Sequence, residues 1–343
     1  MIVGMTLAAR SFSRTMTIVL LFFSLVLAAC TPERSVDALE STASGYPQRA
    51  LSLLAPANPG GGWDQTARQI RQVLTETGIV GVPVEVVNRG GAGGTIGLAD
   101  LVTRHRNNPH TIMVFGQVML GAIRTNNSAV SLDETVPLAR LLSEYEVVAV
   151  PTDSPYHRLQ DLVEDLKAAP ETISWAGGSA GGVDHILAGL ITQAAGADPR
   201  RVNYIAHSGG GEAAVAVMGG HVVAGISGLG EWGAHLESGR MRALAVSSPE
   251  RVGDGSIPTI RESGLDVALS NWRALAAPPG TDEDTQDWLV RALERMRESP
   301  AWQEILRVNE WEDSFLTGAA FVQFLADEAA TTDAALRAIG LVQ

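Results

Sequence analysis

The chain has 343 residues and a net charge of −13 at neutral pH, from 25 Lys and Arg against 38 Asp and Glu. So acidic a polypeptide argues against nucleic acid as a partner, and its single cysteine, Cys30, rules out an intramolecular disulfide. The same acidity means that any anionic ligand must be held by local dipoles and a few chosen side chains, not by the summed field.

At the amino terminus, Arg10 and Arg14 precede the apolar run MTIVLLFFSLVLAA, a basic segment followed by a hydrophobic one, as in a secretory signal. The run is short for a bilayer span, which needs about 20 apolar residues. It ends in Leu27-Ala28-Ala29-Cys30, which resembles a bacterial lipobox, where cleavage leaves a cysteine that becomes diacylated. Residues 1–29 are expected to be a lipoprotein signal peptide, and residues 30–49, with the polar stretch TPERSVDALESTASG, a tether. The protein is therefore expected outside the cytoplasm, lipid-anchored through Cys30 to the outer or periplasmic face of the membrane.

From Leu51 onward strand and helix patterns alternate. LSLLAP leads into a helix with Trp63, Ala67, Ile70 and Leu74 on one face; VPVEVV leads into TIGLADLVTRH; HTIMVFG follows. A second series begins near Glu146 with EVVAVP and continues through ETISWAGG, VDHILAGLITQAA, RVNYIA, GEAAVAVMGG, HVVAGIS and MRALAVSS. After NWRALAAPPG the pattern turns helical, and those helices most simply return to cover the first sheet. Alternating units of this kind predict an α/β fold with parallel sheets. They divide into two lobes crossed more than once: residues 50–149 with 273–343, and residues 150–272. Hinges are expected near residues 148–152 and 270–273.

Four glycine-rich turns each lead into a helix: Gly60-Gly61-Gly62 before Trp63, the turn at Gly91, Gly93 and Gly94 before Thr95, Gly177-Gly178 and Gly181-Gly182 before Val183, and Gly209-Gly210-Gly211 before Glu212. NRGGAGGTIG misses the dinucleotide spacing, because the third glycine would fall at Ile96, and it lacks the Gly-Lys-Ser/Thr of a P-loop. No cofactor motif survives. Helix N-termini carry free N–H groups and about half a positive charge, and glycine lets a ligand approach them. Two lobes would bring all four turns to one cleft.

An enzyme reading stands beside this one. Gly177-Gly178-Ser179-Ala180-Gly181 is a literal G-x-S-x-G between strand and helix, and His207 follows in the chain, as an α/β serine hydrolase requires. The acid between them would have to be Asp184 or Asp198, both close to elements already assigned. His185, His207, His221 and His235 show no metal-ligand spacing, so no metal site is expected.

The segments APANPGGGWDQTAR, NRGGAGGTIG, WAGGSAGGVDHILAGL, GGGEAAVAVMGGHVVAGISG, GRMRALAVSS, IPTIRESG and NWRALAAPPG, in this order, resemble the substrate-binding receptors of tripartite tricarboxylate transporters, the Bug family. The resemblance runs from about Leu51 to the carboxyl end. It implies a two-lobed periplasmic-binding-protein fold of type II with a ligand cleft between two α/β domains. It further implies a monomeric, non-catalytic receptor that closes over a small carboxylate and hands it to a membrane permease. Carried over by position, Gly60, Gly61, Gly62, Trp63 and Asp64 of the first turn and Gly93, Gly94 and Thr95 of the second would hold one carboxylate. Ser179, Ala180, Gly181 and Asp184, with Ser208, Gly210 and Ser227, would form the other wall. Many relatives have Ser or Thr where this chain has Trp63. GGSAGGVDH and NWRALAAPPG resemble the tricarboxylate-type members more than the amino-acid or aromatic-acid binders, which favours citrate, with Arg273 as a fork for a second carboxylate; a surface or interlobe ion pair is the other reading of Arg273, and an aromatic acid stacked on Trp63 the other ligand.

Overall fold

The computed structural model describes residues 38–343. The expected signal peptide, Cys30 and the first part of the tether lie outside the described residues.

The first lobe starts with β1 (Leu51–Ala55), which pairs in parallel with β2 (Val84–Asn88) and β3 (Thr111–Gly116). Helices α1 (Gly62–Thr77), α2 (Thr95–Thr103) and α3 (Gln117–Thr125) follow these strands in turn. In α1 the buried stripe Trp63, Ala67, Ile70 and Leu74 recurs at helical spacing, and the helix stops at Gly78, whose φ of 70° is the left-handed conformation that ends helices. The second lobe is built from α4 (Leu159–Ala168), β5 (Ser174–Gly177), α5 (Val183–Ala194), β6 (Asn203–Ala206), α6 (Gly210–Met218), β7 (Ala224–Gly228), α7 (Leu229–Glu237) and β8 (Met241–Val246). Here β5 pairs in parallel with β6 and β7.

One long strand, β4 (Val136–Pro151), joins the two. Its first part pairs antiparallel with the returning strand β9 (Ser270–Ala277), as far as Tyr145 opposite Ser270. From Glu146, opposite Gly228, it pairs with β7 instead, and from Val147 with β8. The strand order is therefore β2-β1-β3-β9-β4-β7-β5-β6. The handover on β4 falls at Tyr145/Glu146, and β9 begins at Ser270, within the second expected hinge. The handover coincides with the polar stretch Ser143-Glu144-Tyr145-Glu146 between the apolar runs of β4.

After β9 the chain adds α8 (Glu283–Glu298), α9 (Pro300–Val308), β10 (Glu312–Thr317), which pairs with β4, and α10 (Gly318–Ala338). Trp288, Leu293, Met296 and Trp302 bury into the first-lobe core with Leu53, Ile70 and Phe115. A separate second-lobe core gathers Val148, Leu162, Trp175, Leu187 and Ile226. The last helix spans both. Phe321 and Phe324 lie near Phe115 and Trp272, whereas Leu336 and Ile339 pack on Ile186 of α5.

The described end of the expected tether lies against the first lobe. Leu39 donates its N–H to the Ile79 carbonyl, Trp288 Nε1 donates to the Glu40 carbonyl, and Tyr46 is buried beside Trp288. Among the described residues no helix is long and apolar enough to cross a membrane.

Candidate functional site

Beside the handover, a cavity of about 540 Å³ opens between the lobes at the carboxyl ends of the strands. Parts of all four glycine turns border it. The helices entering it have glycine N-caps: Gly61 for α1, Gly94 for α2, Gly182 for α5 and Gly209 for α6. No side chain caps any of the four, which leaves their first N–H groups without that partner.

The same device holds three of these turns in shape. An acid in the first helical turn reaches back to an N–H of the loop before it: Asp64 to Gly60 at 2.8 Å, Asp184 to Gly178 at 2.6 Å, and Glu212 to Ser208 at 3.1 Å. Asp64 also receives Arg68 Nε and Asn88 Nδ2, each at 2.8 Å. Burial alone would raise its carboxyl, but these hydrogen bonds outweigh burial and hold it below the usual carboxylate range.

Of the residues expected at the site, Gly61, Gly62, Trp63, Gly93, Gly94, Ser179, Ala180, Asp184, Ser208, Gly210 and Ser227 border the cavity. Gly60, Asp64, Thr95 and Gly181 are not on its wall. Gly60 and Asp64 are occupied with each other, Thr95 Oγ1 donates to the Ala92 carbonyl, and the Gly181 N–H donates to His185 Nδ1. Trp63 packs beneath the second turn, where a Cβ at Gly94 would meet its ring at 2.5 Å.

Two glycines make room for protein side chains. A Cβ at Gly62 would come within 2.7 Å of Arg273 Nη2 and 3.1 Å of Glu231 Oε1, and one at Gly210 would collide with Glu231 and Ser227. The Glu231 carboxylate thus lies against the N-terminal turns of both α1 and α6, where helix dipoles favour negative charge.

Arg273 does not present a free fork. Its Nη2 is bonded to Glu144, while Nη1 donates to Thr66 Oγ1 at 2.7 Å and to the Gly62 carbonyl at 3.1 Å. Glu144 also accepts from Asn271 Nδ2 and Trp311 Nε1, both at 3.0 Å. Arg273 is therefore neither a free fork nor a surface or interlobe pair: it is held in a buried ion pair within the first lobe.

Sequence patterning missed an acidic wall. Glu144 and Glu146, two apart on β4, both border the cavity, as do Asp184, Glu212 and Glu231. Glu146 is fully buried, yet neither of its carboxyl oxygens meets a hydrogen-bond donor. Burial, reinforced by Asp184, Glu144 and Glu231, pushes its carboxyl well above the ordinary range. Burial likewise pushes Asp184 up to about 7, against the pull of the Gly178 N–H. Two acids spaced two apart in ARLLSEYEVVAVP were the available signal, since alternate residues of a strand share a face.

A hydrolytic triad does not assemble. Ser179 and His207 both border the cavity, but His207 Nε2 is buried without a partner. Asp184 is bonded to the Gly178 N–H. Asp198 caps a short turn beyond the other end of α5, separated from Ser179 by a helix of about 18 Å.

Comparison with known proteins agrees with this architecture. Residues 66–341 match the family model described as Tripartite tricarboxylate transporter family receptor. Protein BugT of Bordetella pertussis is 29% identical over 299 residues, covering 84% of this chain and 88% of that protein. Among solved structures, the periplasmic binding protein BugD superposes with a TM-score of 0.77 at 23% identity, covering 87% of this chain and 99% of that one. R. palustris Rpa4515 with adipate superposes with a TM-score of 0.78 at 20% identity, covering 86% and 98%. The fold is that of two-lobed periplasmic solute-binding proteins, and the chain belongs to the tripartite tricarboxylate transporter receptor family.

Proposed function

We propose that this chain is a non-catalytic receptor that closes over one small carboxylate and delivers it to the membrane permease of a tripartite transporter. The observation that carries the reading is the convergence of four uncapped helix N-termini on one cavity. Glu231 already lies against α1 and α6, so the ligand carboxylate belongs at the turn around Gly93 and Gly94 and at the Ser179-Ala180 backbone facing it. Family membership and the adipate held by a protein of the same fold support a small organic acid. Citrate, favoured by the sequence resemblance, now ranks behind mono- and dicarboxylates, because the fork expected for its second carboxylate is bonded to Glu144.

Calorimetry and thermal shift over a panel of organic acids test the reading. A bound acid at a hundredfold excess over Kd should stabilise the protein by about 2.7 kcal/mol. Silence from every carboxylate, with ester turnover that disappears in Ser179→Ala, would establish the hydrolase instead.

We read the amino-terminal segment as a lipoprotein signal, with Cys30 the anchor, supported by its basic and apolar regions and by Leu27-Ala28-Ala29-Cys30. Cys30→Ser should release the protein from membranes; retention of the variant would reject the anchor.

A further inference from the structure

We propose that Glu231 is an interlobe latch, a carboxylate of the protein's own that reaches from the second lobe to the positive end of α1 and biases the two lobes toward the closed form. The inference rests on the receptor reading and adds to it the means by which closure is set.

The reach of this side chain is the first ground. Glu231 stands in the first turn of α7, a second-lobe helix, and its two oxygens are divided between the lobes. Oε2 accepts from Ser227 Oγ at 3.1 Å and fills the space where a Cβ on Gly210, the first residue of α6, would stand. Oε1 lies 3.1 Å from the corresponding point on Gly62, the first residue of α1 in the first lobe. Arg273 Nη2, another first-lobe group, lies 2.7 Å from that same point. One carboxylate thus faces the positive ends of two helices that belong to different lobes, beside a first-lobe guanidinium. Its repulsions do not cancel this preference. Glu146, paired with β7, and Asp184, on α5, stand on the second lobe with Glu231, so parting the lobes leaves them where they are. Parting would take away α1 and Arg273, and Glu144 leaves with Arg273 because the two are bonded. Closure is the arrangement in which this charge is best offset.

Packing around the latch is the second and independent ground. The start of α7 is seated on the first lobe with no side chain between them: a Cβ at Gly230 would come within 2.6 Å of the Asn309 carbonyl oxygen, just beyond α9. Asn309 is itself held by α1, through the 3.1 Å bond that Gln65 Nε2 donates to its Oδ1. Glycines therefore stand at each surface the latch must clear. Gly230 brings its helix against the first lobe, Gly62 opens the end of α1 to Oε1, and Gly210 opens the end of α6 to Oε2. A side chain at any of the three would hold the helices apart or exclude the carboxylate. Because Glu231 fills this place, a ligand need not bring a carboxylate to α1, and one that does meets Glu231 there.

Small-angle scattering and calorimetry on the full-length protein, with Glu231→Ala and Glu231→Gln beside wild type, test the latch. Without an added acid, both variants should have a larger radius of gyration than wild type. Millimolar acetate should bring Glu231→Ala back toward the wild-type radius by supplying the missing carboxylate, and should leave wild type unchanged. Any of succinate, glutarate, adipate and citrate that binds wild type should bind Glu231→Ala about tenfold or more weakly, because less of the variant is closed. Acetate should recover part of that loss in the variant, whereas in wild type it can only compete. A merely structural role for Glu231 would not give opposite responses to acetate. Glu231→Gln keeps the shape of the side chain and removes its charge, so it carries the comparison of radii if Glu231→Ala fails to fold. Equal radii in wild type and variants, or acetate that weakens binding in Glu231→Ala as it does in wild type, would overturn the latch and leave the carboxylate receptor standing. Silence from all four acids in wild type would remove the receptor reading, while the radii and their response to acetate still judge the latch.

Discussion

Arg273 on β9 and Glu144 on β4 form an ion pair beside the sheet handover, and each side chain is only 3% exposed. Breaking one side of such a pair leaves a buried, uncompensated charge. Arg273→Met should therefore cost about 3–5 kcal/mol of stability, measured by urea denaturation. A variant as stable as wild type that loses only ligand affinity would return Arg273 to the role of a ligand fork.

Asp64 serves as a clamp for the first glycine turn. It is 2% exposed and joins Gly60, Arg68 and Asn88. Asp64→Ala removes three hydrogen bonds and leaves the Gly60 N–H without this partner, and should lose about 2 kcal/mol. Asn88→Ala, which removes one of these bonds and the 3.1 Å bond to the Ala57 carbonyl, should show a smaller loss in the same denaturation assay.

Without ligand, stability should fall with rising pH, because burial raises the carboxyls of Asp184 and Glu146. Asp184 has a folded-state value of about 7, above its ordinary 3.8, so the folded chain holds this proton more tightly than the unfolded one. Its contribution is complete below about pH 4 and is lost as pH rises through about 7, on the order of 4 kcal/mol in all. Glu146 acts in the same direction, with Glu144 and Glu231 reinforcing it and Arg273 opposing it. The melting temperature without ligand should drop between pH 5 and pH 8, and Asp184→Asn should flatten the drop. A melting temperature that rises across this interval in both proteins would contradict the assignment.

Gly121 of α3 abuts the Gly181 carbonyl so closely that a Cβ there would overlap it. Alanine in an isolated helix is better than glycine by about 1 kcal/mol. If the lobes separate without ligand, Gly121→Ala should retain stability yet weaken ligand binding, because it wedges the closed form apart; closure depends on tighter binding to that form. Small-angle scattering should then show compaction with ligand in wild type and less in the variant. An unchanged radius in wild type at saturating ligand would indicate a rigid pair of lobes.

Sequence by itself determined the α/β class and the family, because both rest on local and ordered signals. The Trp63, Ala67, Ile70, Leu74 stripe specifies a helix wherever it is read, and a strand, glycine turn and helix repeated in order need no knowledge of what they face. Tertiary structure alone decided what the glycines approach. Gly62 and Gly210 lie far apart in the chain, and only the folded sheet order brings Glu231 between their helices. The same holds for Arg273, whose partner Glu144 is set by the antiparallel register of β9 on β4. It holds for Glu146, which sits where β4 passes from β9 to β7, a change of partner that the local sequence does not encode. Pairing partners and burial are long-range properties: a carboxylate in a strand has the same local pattern whether it meets a guanidinium, another acid or an arriving ligand.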